Sequence, residues 1–196
     1  MYIVRNKCLH AQYTSAILVS MFYLSKPELR ALFQAAYDHN RIHHLALLTA
    51  MIHGMRVSEL NNLRGTDITP NGEIIVRRLK GSRTTIQAIR RDEDVLFDET
   101  PLLQLAAEKR TLRLFEISRQ HFDRLIKKYA AMAGIHPDAA HMHALKHSCA
   151  MTVWDATGSL GQLQSYLGHV SASSSLVYLA EADSRKASAA MQAVRF

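Results

Sequence analysis

The chain has 196 residues, with 24 Lys+Arg against 17 Asp+Glu for a formal net charge of +7, and 48% hydrophobic against 21% charged residues. This balance describes one ordinary globular domain, able to bury roughly 70% of its unfolded surface without disulfides or a structural metal. It excludes a disordered, collagen-like or coiled-coil chain.

Residues 1–21 read as an N-terminal extension and 22–182 as the domain, followed by a tail over 183–196. The apolar run from Ala16 to Leu24 is about half of the roughly 20 residues a membrane span requires. Arg5 and Lys7 precede it, but no small-x-small cleavage site follows, which argues against a leader peptide. Ser25, Pro27 and Glu28 form a capping signature that predicts a helix to about His39. An almost wholly apolar helix follows from about Arg41 to His53, interrupted by Gly54 before a third helix over Met55 to Arg64. Beyond the Pro70-Asn71-Gly72 turn, the β-rich runs Glu73 to Leu79 and Thr84 to Ile89 bracket Lys80-Gly81-Ser82-Arg83 and predict a hairpin. Thr100 before Pro101 and Ser118 each predict a helix start, the second helix ending before Gly134. The last third is helical: Met142 to Ala156 stopped by Gly158, Leu160 to Leu167 stopped by Gly168, Ser173 to Ala182, and an amphipathic tail from Ser184. The expected fold class is mostly α with a small antiparallel β-sheet (α+β).

No Gly-rich phosphate loop, GxSxG elbow, HExxH helix or CxxC pair is present, which removes the usual signatures of nucleotide hydrolysis, serine hydrolysis and zinc proteolysis. Cys8 and Cys149 make no disulfide framework, in keeping with a cytoplasmic protein. The sequence pI near 9.6 points to a polyanionic partner, nucleic acid before anionic membrane. His143 and His147 have the i, i+4 spacing of a zinc pair, but no Cys or carboxylate lies at close ligand spacing, so the expectation is no metal and no cofactor.

Four short segments carry the remaining cations and histidines: Gly54-Met55-Arg56-Val57-Ser58-Glu59-Leu60, Arg78-Leu79-Lys80-Gly81, His143-Ala144-Leu145-Lys146-His147, and Leu167-Gly168-His169 with Tyr178 nine residues later. Taken singly each has a plainer reading. Arg56 fits a surface ion pair, Lys80 a solvated turn, His169 a helix-end cation, and Tyr178 a core-edge residue. In this order, from Phe22 to about Ala182, they resemble the catalytic domain of the tyrosine recombinases, the phage integrase family. Met51-Ile52-His53-Gly54 and His147-Ser148-Cys149 look most like the short fimbrial phase-variation recombinases, which lack a separate N-terminal DNA-clamping domain.

The resemblance implies a catalytic set of Tyr178 as nucleophile, Arg56 and Lys146 on the non-bridging phosphate oxygens, His169 hydrogen-bonding one of them, His143 assisting proton removal, and Lys80 as general acid. Glu59 would orient Arg56 from behind, and His147 would pack or hydrogen-bond beneath the site. The implied reaction is site-specific recombination of double-stranded DNA through a 3′-phosphotyrosyl intermediate, without metal or ATP. Its implied assembly is a dimer on each site and a tetramer in synapsis, with accessory DNA-bending proteins, no membrane, and a C-terminal tail exchanged between protomers.

Lys146 departs from the pattern, because the family has a second arginine there. Ammonium is a point charge where guanidinium offers two parallel donors, a loss worth on the order of 10²–10³ in rate if the clamp stabilises the transition state. The alternative that follows is a catalytically weakened DNA-binding relative; a type IB topoisomerase-like enzyme, which uses the same tyrosine chemistry, ranks behind it.

Overall fold

The computed structural model describes residues 23–79, 81–176, 178 and 191. Lys80, the N-terminal extension, and the tail apart from Met191 lie outside the described residues. The named elements run α1 (Lys26–His39), α2 (Arg41–Ile52), α3 (Val57–Asn62), β1 (Glu73–Val76), β2 (Thr85–Ala88), α4 (Pro101–Lys109), α5 (Arg119–Met132), α6 (Met142–Thr157) and α7 (Leu160–Leu167). Residues 173–176 and 178 are helical as well. The architecture is the expected mostly helical one with a two-stranded antiparallel sheet.

Local chemistry accounts for most boundaries. Ser25 accepts the Glu28 amide while Glu28 returns to the Ser25 amide, closing the capping box at α1. Asn40 ends α1 and caps α2, accepting from the amides of Ile42 and His43. Gly158 and Gly168 adopt left-handed conformations at the ends of α6 and α7, where they terminate the helices as C-cap residues.

Two boundaries and one cap differ from expectation. α3 covers only Val57–Asn62, because the Glu59 carboxylate takes the Arg56 amide and starts the helix late, while Leu63 and Arg64 are drawn out to meet Leu114 and Arg113. Thr100 makes no cap; its hydroxyl bonds Asp98 instead. The ladder pairs only Glu73↔Ala88 through Val76↔Thr85, since the amides of Leu79 and Arg83 are taken by Glu59 and by the Gly168 carbonyl.

Two hydrophobic clusters result. The larger one joins α1, α2, α4 and α5 through side chains such as Phe33, Leu47, Leu102, Phe122 and Tyr129. The smaller one gathers Cys149, Ala150 and Met151 of α6, Leu163 and Leu167 of α7, and Tyr178. α6 belongs to both, with Leu145 in the larger cluster and Cys149 in the smaller. Lys146 therefore lies at the seam between them.

Candidate active site

Arg56 stands at the N-terminus of α3 in extended backbone. Its Nη1 donates to Glu59 Oε1 at 2.7 Å, and its amide donates to Glu59 Oε2 at 2.8 Å. Glu59 is buried and also accepts the Leu79 amide at 3.0 Å, so one carboxylate fixes both Arg56 and the end of the hairpin strand. Burial alone would raise the Glu59 carboxyl, but the Arg56 and Leu79 amides and the Arg56 guanidinium outweigh it and hold the group below the usual carboxylate range.

Arg78, two residues before Lys80, is the positioning element that motif reading passes over. Its guanidinium is buried and donates to the carbonyls of Gly54 at 3.0 Å, His53 at 2.8 Å and Tyr166 at 3.1 Å, and it approaches Glu59 at 3.5 Å. It ties the hairpin to the turn before Arg56 and to α7. The only hint in the sequence is its place in the hairpin segment, since all four partners are distant along the chain.

On the facing wall, the first turns of α6 present His143, Lys146 and His147. His143 is exposed and lines a cleft of about 260 Å³ together with Arg56, Ser58, Arg119, His141 and Lys146. Partial desolvation of the ring at the cleft wall, then His141, Lys146 and Arg56, lower its affinity for a proton, which favours the neutral imidazole. Lys146 is only 6% exposed, and its Nζ has no hydrogen-bond partner among the described residues. Burial and the neighbouring Arg56 and Arg78 cations push its ammonium down to about 8.

Tyr178 is buried in the smaller cluster. The His147 ring meets it edge-on at 5.4 Å, and the His169 ring lies nearly parallel to it at 6.4 Å. His169 follows Gly168 at the end of α7, and its Nδ1 pairs with the Ser175 hydroxyl at 2.8 Å. Burial pushes the Tyr178 phenol up to about 12, with the Arg56 charge pulling the other way. His147 and His169 are both lowered to about 4, first by burial and then by cationic or imidazole neighbours, so both rings are neutral at pH 7.

The structure thus places Arg56, His143 and Lys146 around one cleft, sets His147 and His169 against Tyr178, and puts Glu59 behind Arg56. It brings His147 rather than His143 into ring contact with Tyr178. Among the described residues no group of three or more His, Cys, Asp or Glu is arranged to hold a metal, and no helix is long and apolar enough to cross a membrane. His43 and His44 are engaged separately, with the Tyr129 hydroxyl and the Leu96 carbonyl.

Comparison with known proteins agrees with this constellation. The chain is 32% identical over 158 residues to the type 1 fimbriae regulatory protein FimE of Escherichia coli K12, covering 75% of this chain and 79% of FimE. It is 34% identical over 140 residues to the tyrosine recombinase XerD of Xanthomonas axonopodis pv. citri, covering 64% of this chain and 46% of XerD, so it spans less than half the length of that relative. Two solved structures share the fold. XerH site-specific recombinase bound to palindromic difH substrate, a post-cleavage complex, has a TM-score of 0.70 at 21% identity, covering 87% of this chain and 52% of that one. The catalytic domain of bacteriophage HP1 integrase has a TM-score of 0.63 at 22% identity, covering 81% and 87%. With residues 23–185 also matching the family's sequence profile, the chain belongs to the phage integrase family, the tyrosine recombinases.

Proposed function

We propose that the chain is a site-specific DNA recombinase that cuts and rejoins double-stranded DNA through a phosphotyrosyl bond at Tyr178. The observation that carries this reading is Lys146: a buried cation with no partner among the described residues, facing Arg56 across the cleft that also holds His143. An unpaired buried ammonium is costly in a free protein, and an anion seated between the two cations offsets that cost. A phosphodiester is such an anion, and XerH, which shares the fold, carries a DNA substrate in its solved complex.

In this reading Arg56 and Lys146 hold the non-bridging oxygens, and His169 donates to one of them. Tyr178 oxygen attacks phosphorus in line as the bond to the 5′ oxygen breaks, leaving a 3′-phosphotyrosyl link. The phenol proton passes to His143, and the departing 5′ oxygen takes a proton from Lys80. His147, edge-on to the ring, holds Tyr178 from beneath. Attack by a 5′-hydroxyl of a second duplex reverses the step, and because the covalent link stores the bond energy, neither ATP nor metal is required. Assembly as a dimer on each site and a tetramer across two sites, with DNA-bending helpers, completes the proposal.

The test is covalent adduct formation on suicide duplexes built from repeats flanking the coding region. The full chain is expected to form a denaturation-resistant adduct that Tyr178→Phe abolishes. An adduct retained in Tyr178→Phe refutes the assignment. No adduct from the natural chain, but one after Lys146→Arg, establishes instead a DNA-binding relative weakened at this one position.

A further inference from the structure

We propose that His53 and Glu99 form a buried, proton-sharing pair that positions Arg56 and the hairpin for phosphate chemistry. The inference rests on the reading above, in which Arg56 grips the scissile phosphate. Both side chains have 0% exposure, and His53 Nε2 lies 3.1 Å from Glu99 Oε2. Neither residue is in the implied catalytic set, and they are 46 positions apart in the chain.

Donor and acceptor bookkeeping fixes the proton count. The Gln87 amide nitrogen donates to the Tyr166 carbonyl at 2.7 Å, a partner that can only accept. Gln87 Oε1 therefore faces His53 Nδ1 at 2.6 Å, so Nδ1 carries a hydrogen. The other ring nitrogen faces the Glu99 carboxyl, whose Oε2 already accepts the Arg90 amide at 3.1 Å. Two bare acceptors at that contact would repel, so a second proton lies between His53 Nε2 and Glu99 Oε2. Whichever atom holds it, the pair is neutral overall and carries one proton more than a neutral imidazole beside a carboxylate. A neutral pair is the form that tolerates complete burial.

The pair then acts along two connected routes. The backbone carbonyl of His53 receives the Arg78 guanidinium at 2.8 Å, and Gln87 shares the Tyr166 carbonyl with that same guanidinium. Arg78 in turn approaches Glu59, and Glu59 holds Arg56 and the Leu79 amide. On the other side, Glu99 and Arg90 bond backbone to backbone at 2.9 Å, which pins the segment following β2. Releasing the pair frees the His53-Gly54 turn and both strands at once, and with them the guanidinium of Arg56. A displacement of that kind, remote from the reacting atoms, costs up to about 10²-fold in rate.

His53 and Glu99 are thus positioning residues, and two measurements separate them from merely structural ones. Glu99→Gln can donate its amide to a neutral His53 and keep that contact while giving up the Arg90 amide, whereas Glu99→Leu loses both. Single-turnover adduct formation per folded molecule is expected to fall about ten- to a hundredfold in Glu99→Leu and to stay within about threefold of the natural chain in Glu99→Gln, with duplex affinity of both unchanged. Equal rates in the two variants overturn the inference while leaving the recombinase reading intact; absence of any adduct from the natural chain overturns that reading and the positioning role with it. If Glu99→Leu does not fold, nitrogen-15 spectra of the natural protein at neutral pH decide the matter. A protonated His53 Nδ1 with its Nε2 hydrogen-bonded supports the pair, and a bare Nδ1 refutes it.

Discussion

The two walls of the cleft hold their cations in opposite ways. On the α3 wall, Glu59 satisfies the Arg56 side chain, its amide and the Leu79 amide, and Arg78 is bonded to three backbone carbonyls. On the α6 wall, the Lys146 ammonium is buried to a similar degree without one protein acceptor among the described residues. The first wall is organised before any ligand arrives; the second holds a charge that only an incoming anion compensates. In a phosphate clamp this difference separates a group that sets geometry from one whose binding energy appears only when substrate is present.

The largest way to break the contrast is to remove the carboxylate that organises the first wall. Glu59→Ala leaves the Arg78 guanidinium without its counter-charge and is expected to cost about 3–5 kcal/mol of stability, measured by denaturant unfolding. A loss below about 1 kcal/mol, the range of an exposed pair, would show that the arginines need no counter-charge.

The second wall responds in the reverse direction. The Lys146 affinity for protons is lowered on folding, so the unfolded chain binds more protons between about pH 8 and its ordinary value of 10.5, and stability contributed by this group rises with pH across that window. In the proposed mechanism cleavage uses the charged form, so its rate is expected to fall as pH rises through about 8. Lys146→Met should therefore stabilise the folded protein by about 1–3 kcal/mol at pH 7 while reducing cleavage about 10²- to 10³-fold. Lys146→Arg should flatten the alkaline limb of the pH–rate profile. A limb of unchanged position in Lys146→Arg would assign it to another group.

A smaller effect tests the junction between the hairpin and α7. A Cβ on Gly168 would lie 2.3 Å from the Arg83 carbonyl oxygen, and its φ of +69° already disfavours a side chain. Gly168→Ala is expected to destabilise the fold by about 1–3 kcal/mol and to disturb His169 more than Arg56. A thermal melt with adduct kinetics reads both; an unshifted melt would mean that the hairpin yields freely at this point.

What the sequence made legible follows the range of the interactions. Ser25 with Glu28, Asn40, Ser118, Gly158 and Gly168 act within a few residues of themselves, and the helices they start or stop fall where reading places them. The same holds for the recombinase motifs, whose order along the chain is itself the signal. Arg78, His53 with Glu99, and the early end of α3 depend on partners 19 to 88 residues away, and nothing local marks an arginine that will turn inward or a histidine that will meet a buried carboxyl. Thr100 shows the complementary failure: a residue suited to capping is diverted by Asp98, two residues away.

Leu79 and Arg83, on either side of Lys80, are moored by their amides, one to the Glu59 carboxylate and the other to the Gly168 carbonyl. Four residue steps of extended chain span at most about 14 Å, so a backbone tethered at both ends can swing out by about 7 Å at its middle and no further. In the proposed mechanism so short a leash bounds how far the backbone bearing the general acid lies from Glu59 and Gly168. Lengthening that leash by insertion would enlarge the volume to be searched faster than it extends the reach.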